Sequence, residues 1–211
     1  MKKLLALTLA ALLCFGLAAV GTIGASALEE GNFTYVLTNG DTQARITGYV
    51  TKPTGALNIP ETIGGAPVTT IADSAFKSCT GITSVTIPAG VTYIWYDAFW
   101  GCTGLTSVTL PDSLIVIEEA AFWGCSNLKS IVIPSGILDI ASNAFNSCHA
   151  DFTIRGTAGS YAERFAAGKG IRFLDSSKEY FKLWGKETDW EKSTLNWFLM
   201  IVCFGWIWMA F

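Results

Sequence analysis

Cys79, Cys102, Cys125 and Cys148 stand 23 residues apart, and the single histidine of the chain, His149, adjoins the last of them. Thiols and an imidazole are groups from which a nucleophile with its base, a disulfide framework or a metal site is built. Each of these uses meets a geometric objection. No cysteine pair has C-x-x-C spacing, and one histidine adds little to a ligand set. Neighbours in an extended chain point to opposite faces, so Cys148 and His149 do not converge. Cysteines that recur once per structural unit have parallel side-chain vectors, a poor arrangement for disulfides. The reading that survives is a small buried hydrophobe repeated as a ladder. The carboxylates Asp97, Asp112, Glu118, Glu119 and Asp139 are scattered over variable positions with no recurring pair, so the acid–base constellation of a hydrolytic enzyme is not assembled. The expectation is a non-enzymatic protein with no catalytic residues, no cofactor and no metal.

The elements that place these residues follow from the same interval of 23. Phe76, Phe99, Phe122 and Phe145 keep it, as do Ala75, Ala98, Ala121 and Ala144, and the prolines Pro88, Pro111 and Pro134 fall in step. The stretch AFWGC is spelled twice, at Ala98 to Cys102 and at Ala121 to Cys125. Val85-Thr86-Ile87 and its copies alternate as a strand does, and the proline after each ends it. A second short apolar pair follows in each unit: Val68 with Ile71, Val91 with Ile94, Leu114 with Ile117, Ile137 with Ile140. A unit of this length cannot enclose a core, so its apolar face must be covered by identical units stacked on either side. The repeated residues are therefore predicted to be inward ladders.

The pattern I/L-x-S-V/I-x-I/L-P followed by A-F-x-x-C resembles the BspA-like leucine-rich repeats. The resemblance implies a right-handed solenoid with a strand on one face, found on bacterial surface and secreted proteins and associated with adhesion and protein recognition. The fold class expected is a β-rich (α+β) leucine-rich-repeat solenoid of about four to five coils, repeats spanning residues 56–149.

An open stack needs caps. Phe33 to Leu37 and Ala44 to Val50 flank Asn39-Gly40-Asp41, a hairpin signal that makes residues 28–55 an N-terminal cap. The first repeat carries extra residues around Gly64-Gly65-Ala66-Pro67, read as a loop insertion. A strand at Phe152 to Ile154, a helix from Ser160 to Gly168 and a strand at Ile171 to Leu174 make residues 150–175 a C-terminal cap plugged by Tyr161 and Phe165. Before the repeats, Lys2 and Lys3, an apolar run and Ala25-Ser26-Ala27 form a signal peptide over residues 1–27. After the cap, residues 176–194 read as a polar, aromatic linker. Residues 195–211 carry no charge and read as a transmembrane helix at the lower length limit, or as an apolar tail docked on protein. If more chain follows Phe211, the solenoid would be the outer appendage of a larger membrane protein.

Partner contacts must lie where copies differ. Tyr93, Trp95, Tyr96, Trp100 and Trp123 gather at non-core positions of neighbouring coils and are the candidate partner-binding residues; the alternative is that Trp100 and Trp123 only shield the stack. Coils about 4.8 Å apart place those two tryptophans side by side. The formal charge of −3 without a basic block excludes a nucleic-acid footprint. The function expected is an exported, membrane-tethered module for recognition or adhesion, its partner a protein or surface glycan.

Overall fold

In a computed structural model, residues 27–178, 180–183 and 186–189 are described. Residues 1–26 of the expected signal peptide and the whole 195–211 segment lie outside them. Among the described residues no helix is long and apolar enough to cross a membrane.

The chain opens with antiparallel strands β1 (Leu28–Glu30), β2 (Phe33–Thr38) and β3 (Gln43–Tyr49). Asn39, Gly40 and Asp41 link β2 to β3 in left-handed conformation, the residue types that tolerate it best. Strand β3 then runs parallel to β6 (Ala66–Ile71), which pairs in turn with β8 (Tyr93–Ile94); β10 (Val116–Ile117) and β12 (Asp139–Ile140) continue the parallel row. A second row holds the other strand of each coil. There β4 (Gly55–Asn58), β7 (Ile82–Thr86) and β9 (Ser107–Thr109) pair in parallel, and after a break β11 (Ser130–Val132), β13 (Thr153–Gly156) and β14 (Arg172–Asp175) do so. Strands thus line two faces of the stack, one row from the Val85-type strands and the other from the second short apolar pair of each unit.

The stack has about six turns, more than the four to five predicted. At the front β4 pairs with β7 as the first repeat predicts; at the back β13, expected as part of the cap, pairs with β11 and extends the stack although no A-F-x-x-C stretch follows it. The insertion forms a small hairpin, β5 (Thr62–Ile63) against β6, turned by Gly64 and Gly65 at φ +61° and +77°. Gly64 also backs onto the Tyr35 ring, where a Cβ would come within 2.6 Å, and its N–H donates to Glu30 Oε2 at 2.7 Å.

Inside the stack the repeated residues form ladders. Phe76, Phe99 and Phe122 are 0% exposed, and the rings stack at centroid distances of 5.3, 5.2 and 5.6 Å from Phe76 to Phe145 with planes within 12°. Tyr49 and Phe33 cover the front of this column, and Phe152 and Phe165 its back. Beside it runs the cysteine column, with Cys79, Cys102 and Cys125 buried and all four thiols free. The Cys102, Cys125 and Cys148 thiols each donate to the carbonyl of the phenylalanine one coil earlier, Phe76, Phe99 and Phe122, at 3.2, 3.3 and 3.4 Å. The position before each cysteine, Ser78, Gly101, Gly124 and Ser147, has left-handed φ, which explains the glycine of AFWGC.

Helix α1 (Tyr161–Lys169) closes the back end, starting after its N-cap Ser160 as predicted and ending one residue later than the expected Gly168. Ser160 holds the N-cap position, but its hydroxyl makes no cap bond; Glu163 instead accepts from the Gly159 N–H at 2.6 Å. Gly170 terminates the helix in left-handed conformation. The stretch expected as a linker contains a hairpin of β15 (Tyr180–Leu183) and β16 (Lys186–Asp189), paired from Tyr180 with Asp189 to Leu183 with Lys186.

Candidate functional site

The candidate residues sit at the edge of the first strand row, where the chain leaves β8 and turns toward the phenylalanine column. Strand alternation buries Ile94 and turns Tyr93 outward at 38% exposure. Register places Tyr93 between Thr70 and Val116, with Asp139 beyond Val116, so the outward row matches the sequence frame. Trp95 is half-buried, held by its N–H donating to the Ile71 carbonyl of the preceding coil at 3.1 Å. Tyr96 is 43% exposed.

Tyr93, Trp95 and Tyr96 touch in series, with ring centroids 6.4 and 5.9 Å apart. Because Ile94 packs inward, these three form one apolar surface that shares no side with the core. Trp100 and Trp123 lie on successive coils, linked by the Gly101 N–H donating to the Trp123 carbonyl at 2.7 Å. Their rings, expected side by side, make no ring contact with each other among the described residues. The Trp100 ring lies against a cation: Lys77 Nζ is 4.9 Å from its centroid and 2.6 Å from Asp97 Oδ2. Asp97 is one of the scattered carboxylates of the sequence, and its pairing with Lys77 was not expected. Their separation of 20, three short of the period, places them on adjacent coils three positions out of step, and that was the available signal.

A concavity of about 530 Å³ lies between the last coil and the cap, lined in part by Cys148, His149, Asp151, Lys169 and Arg172. It does not bring a thiol to a base. The Cys148 thiol is turned to the Phe122 carbonyl and burial pushes it up to about 12, whereas His149 Nδ1 accepts from the Asp151 N–H at 3.0 Å. Burial likewise pushes Cys102 up to about 12 and raises Cys125 and Cys79, so these thiols stay protonated and unreactive at neutral pH. Asp139 accepts from the Tyr161 hydroxyl at 2.9 Å and so pins helix α1 to the last coil. Among the described residues no three His, Cys, Asp or Glu side chains are grouped closely enough to hold a metal ion.

Residues 55–157 match the family of the BspA type leucine-rich repeat region, in six copies. A leucine-rich repeat protein of T. pallidum is 30% identical with a TM-score of 0.51, the match covering 62% of this chain and 71% of that one. The chain belongs to the BspA-type leucine-rich repeat family. A leucine-rich repeat protein of Bacteroides capillosus is also 30% identical, over 59% of this BspA-type chain and 97% of that protein, with a TM-score of 0.49. One from Bacteroides ovatus is 26% identical with a TM-score of 0.53; the match covers 70% of this chain and 40% of that protein. No curated protein matches the chain. BspA-type repeats are commonly found in surface proteins, and leucine-rich repeat domains generally mediate protein–protein interactions.

Proposed function

We propose that this BspA-type solenoid is a non-catalytic recognition module, exported and tethered to a membrane, that contacts another protein or a surface glycan through Tyr93, Trp95, Tyr96, Trp100 and Trp123. The observation that carries this reading is the aromatic series Tyr93–Trp95–Tyr96, in mutual contact on one coil yet outside the ladders that hold the fold together. Aromatic side chains of this kind anchor interfaces because they desolvate a large apolar area at small entropic cost. The charge pattern of residues 1–27 supports export, and the uncharged run 195–211 supports tethering.

Trp95→Ala combined with Trp100→Ala tests the contact surface. The double variant is expected to keep its far-ultraviolet circular dichroism and urea midpoint while binding to cells or surface glycans falls; unchanged binding refutes the assignment. Protein recovered from membranes is expected to begin near Leu28. Recovery of the uncleaved chain as soluble cytoplasmic protein would overturn the export reading.

A further inference from the structure

The recognition face already holds one cation, and it is the chain's own. Lys77 is gripped between the Asp97 carboxylate at 2.6 Å and the Trp100 ring at 4.9 Å, a carboxylate and an indole face acting on one ammonium. One coil step from Trp95 and Tyr96 the chain carries two carboxylates, so an aromatic pair and an acidic pair occupy neighbouring coils. Glu118 follows Trp95 by 23 residues, and Glu119 follows Tyr96 by 23. The stacking of these coils is set by the backbone: Glu118 N–H donates to the Ile94 carbonyl at 2.9 Å, and Asp97 N–H donates to the Glu119 carbonyl at 3.1 Å. Each glutamate therefore sits on the coil next to its aromatic partner. Neither has an ion pair among the described residues, whereas Asp97 is paired with Lys77.

Carboxylates outnumber cations along this side of the stack, with Arg45 of β3 in the same row at its front end. The second-strand and turn segments 68–77, 91–100, 114–123 and 137–146 carry Asp73, Asp97, Glu118, Glu119 and Asp139 against the single cation Lys77. An anionic glycan or lipid surface would be repelled here. A guanidinium or ammonium would gain from an aromatic face and a carboxylate together, as Lys77 does.

The geometry points to a lysine- or arginine-bearing protein segment as the occupant of the Trp95–Tyr96–Glu118–Glu119 surface. This inference rests on the recognition reading above and narrows its ligand from protein or glycan to a cationic polypeptide.

The test measures binding of a short lysine–arginine peptide to the full chain by tryptophan fluorescence, with a glutamate peptide as comparison. The basic peptide is expected to bind and the acidic one not. Glu118→Gln with Glu119→Gln is expected to weaken binding roughly tenfold, and Trp95→Ala about threefold or more. Asp41→Asn with Glu61→Gln removes the same charge from exposed positions elsewhere and is expected to leave binding unchanged. A loss as large in that control means attraction by net charge alone and overturns the inference. Failure of the basic peptide to bind, while the chain still attaches to cells or neutral glycans through Trp95, overturns the inference and leaves the recognition reading standing. Loss of both sinks the two together.

Discussion

Replacing Phe122 by leucine removes the ring from the middle of the column while leaving an apolar side chain of similar reach. Phe122 is 0% exposed and stacks on Phe99 at 5.2 Å and on Phe145 at 5.6 Å. Two stacked pairs at about 0.5–1.5 kcal/mol each set the expected cost at about 1–3 kcal/mol, less than the roughly 3–5 kcal/mol of a Phe122→Ala cavity. Stability in a solenoid is close to a sum over neighbouring units. Phe99→Leu and Phe122→Leu should therefore couple, the double variant losing less than the two singles together because the shared stack is counted only once. Phe76→Leu with Phe145→Leu, three rungs apart, should add to within about 0.5 kcal/mol. Urea unfolding of the four single and two double variants, followed by circular dichroism, gives both comparisons. A cost below about 0.5 kcal/mol for Phe122→Leu, or equal additivity in the neighbouring and distant pairs, would show that the column is not what holds the coils together.

The cysteine column makes stability depend on alkaline pH. Burial raises the thiols from the ordinary 9.0 to about 12 at Cys102 and Cys148, so the native chain keeps protons that the unfolded chain releases. Their contribution is whole below about pH 9 and declines between about 9 and 12, by about 1.4 kcal/mol per pH unit for each thiol. Urea midpoints measured from pH 8 to 10 should fall, less steeply in Cys102→Ala, and equal slopes would refute the assignment. Two glycines should respond with opposite signs to alanine. At Gly104 a Cβ would overlap the Thr80 carbonyl oxygen and come within 2.9 Å of that of Ile82, so Gly104→Ala should destabilise by about 2 kcal/mol or more. Gly168 lies in α1 with nothing near its Cβ position, so Gly168→Ala should stabilise by roughly 0.5–1 kcal/mol. Thermal melts of the two variants check both signs.

The ladders were legible in the chain because a stacked unit must present the same inward residues at the same interval. Phe76 to Phe145, Cys79 to Cys148 and the apolar strand positions could be assigned by counting. The hairpin over Asn39 to Asp41 was legible for a local reason, since left-handed φ selects few residue types; the helix was expected to end at Gly168, and it is Gly170 that takes that conformation. The strands at β4 and β13 were legible too, from Leu57, Ile59 and Pro60 and from Phe152 to Ile154, but that β13 continues the stack as a full rung was not, because backbone pairing to β11 needs no marker side chain. Nor was the direction of each thiol, which depends on a carbonyl 26 residues earlier in the chain.

The residues of the candidate face were picked out by their failure to repeat, but periodicity says only that they lie outside the core. Which of them meet was decided by rotamers and by charge on the next coil: Tyr93, Trp95 and Tyr96 form one surface, while Lys77 is held between Asp97 and the face of Trp100. A repeat dictates the inside of a solenoid because each coil must match its neighbour there. On the outside no neighbour imposes a match, so the contacts of those side chains are settled only once the coils are stacked.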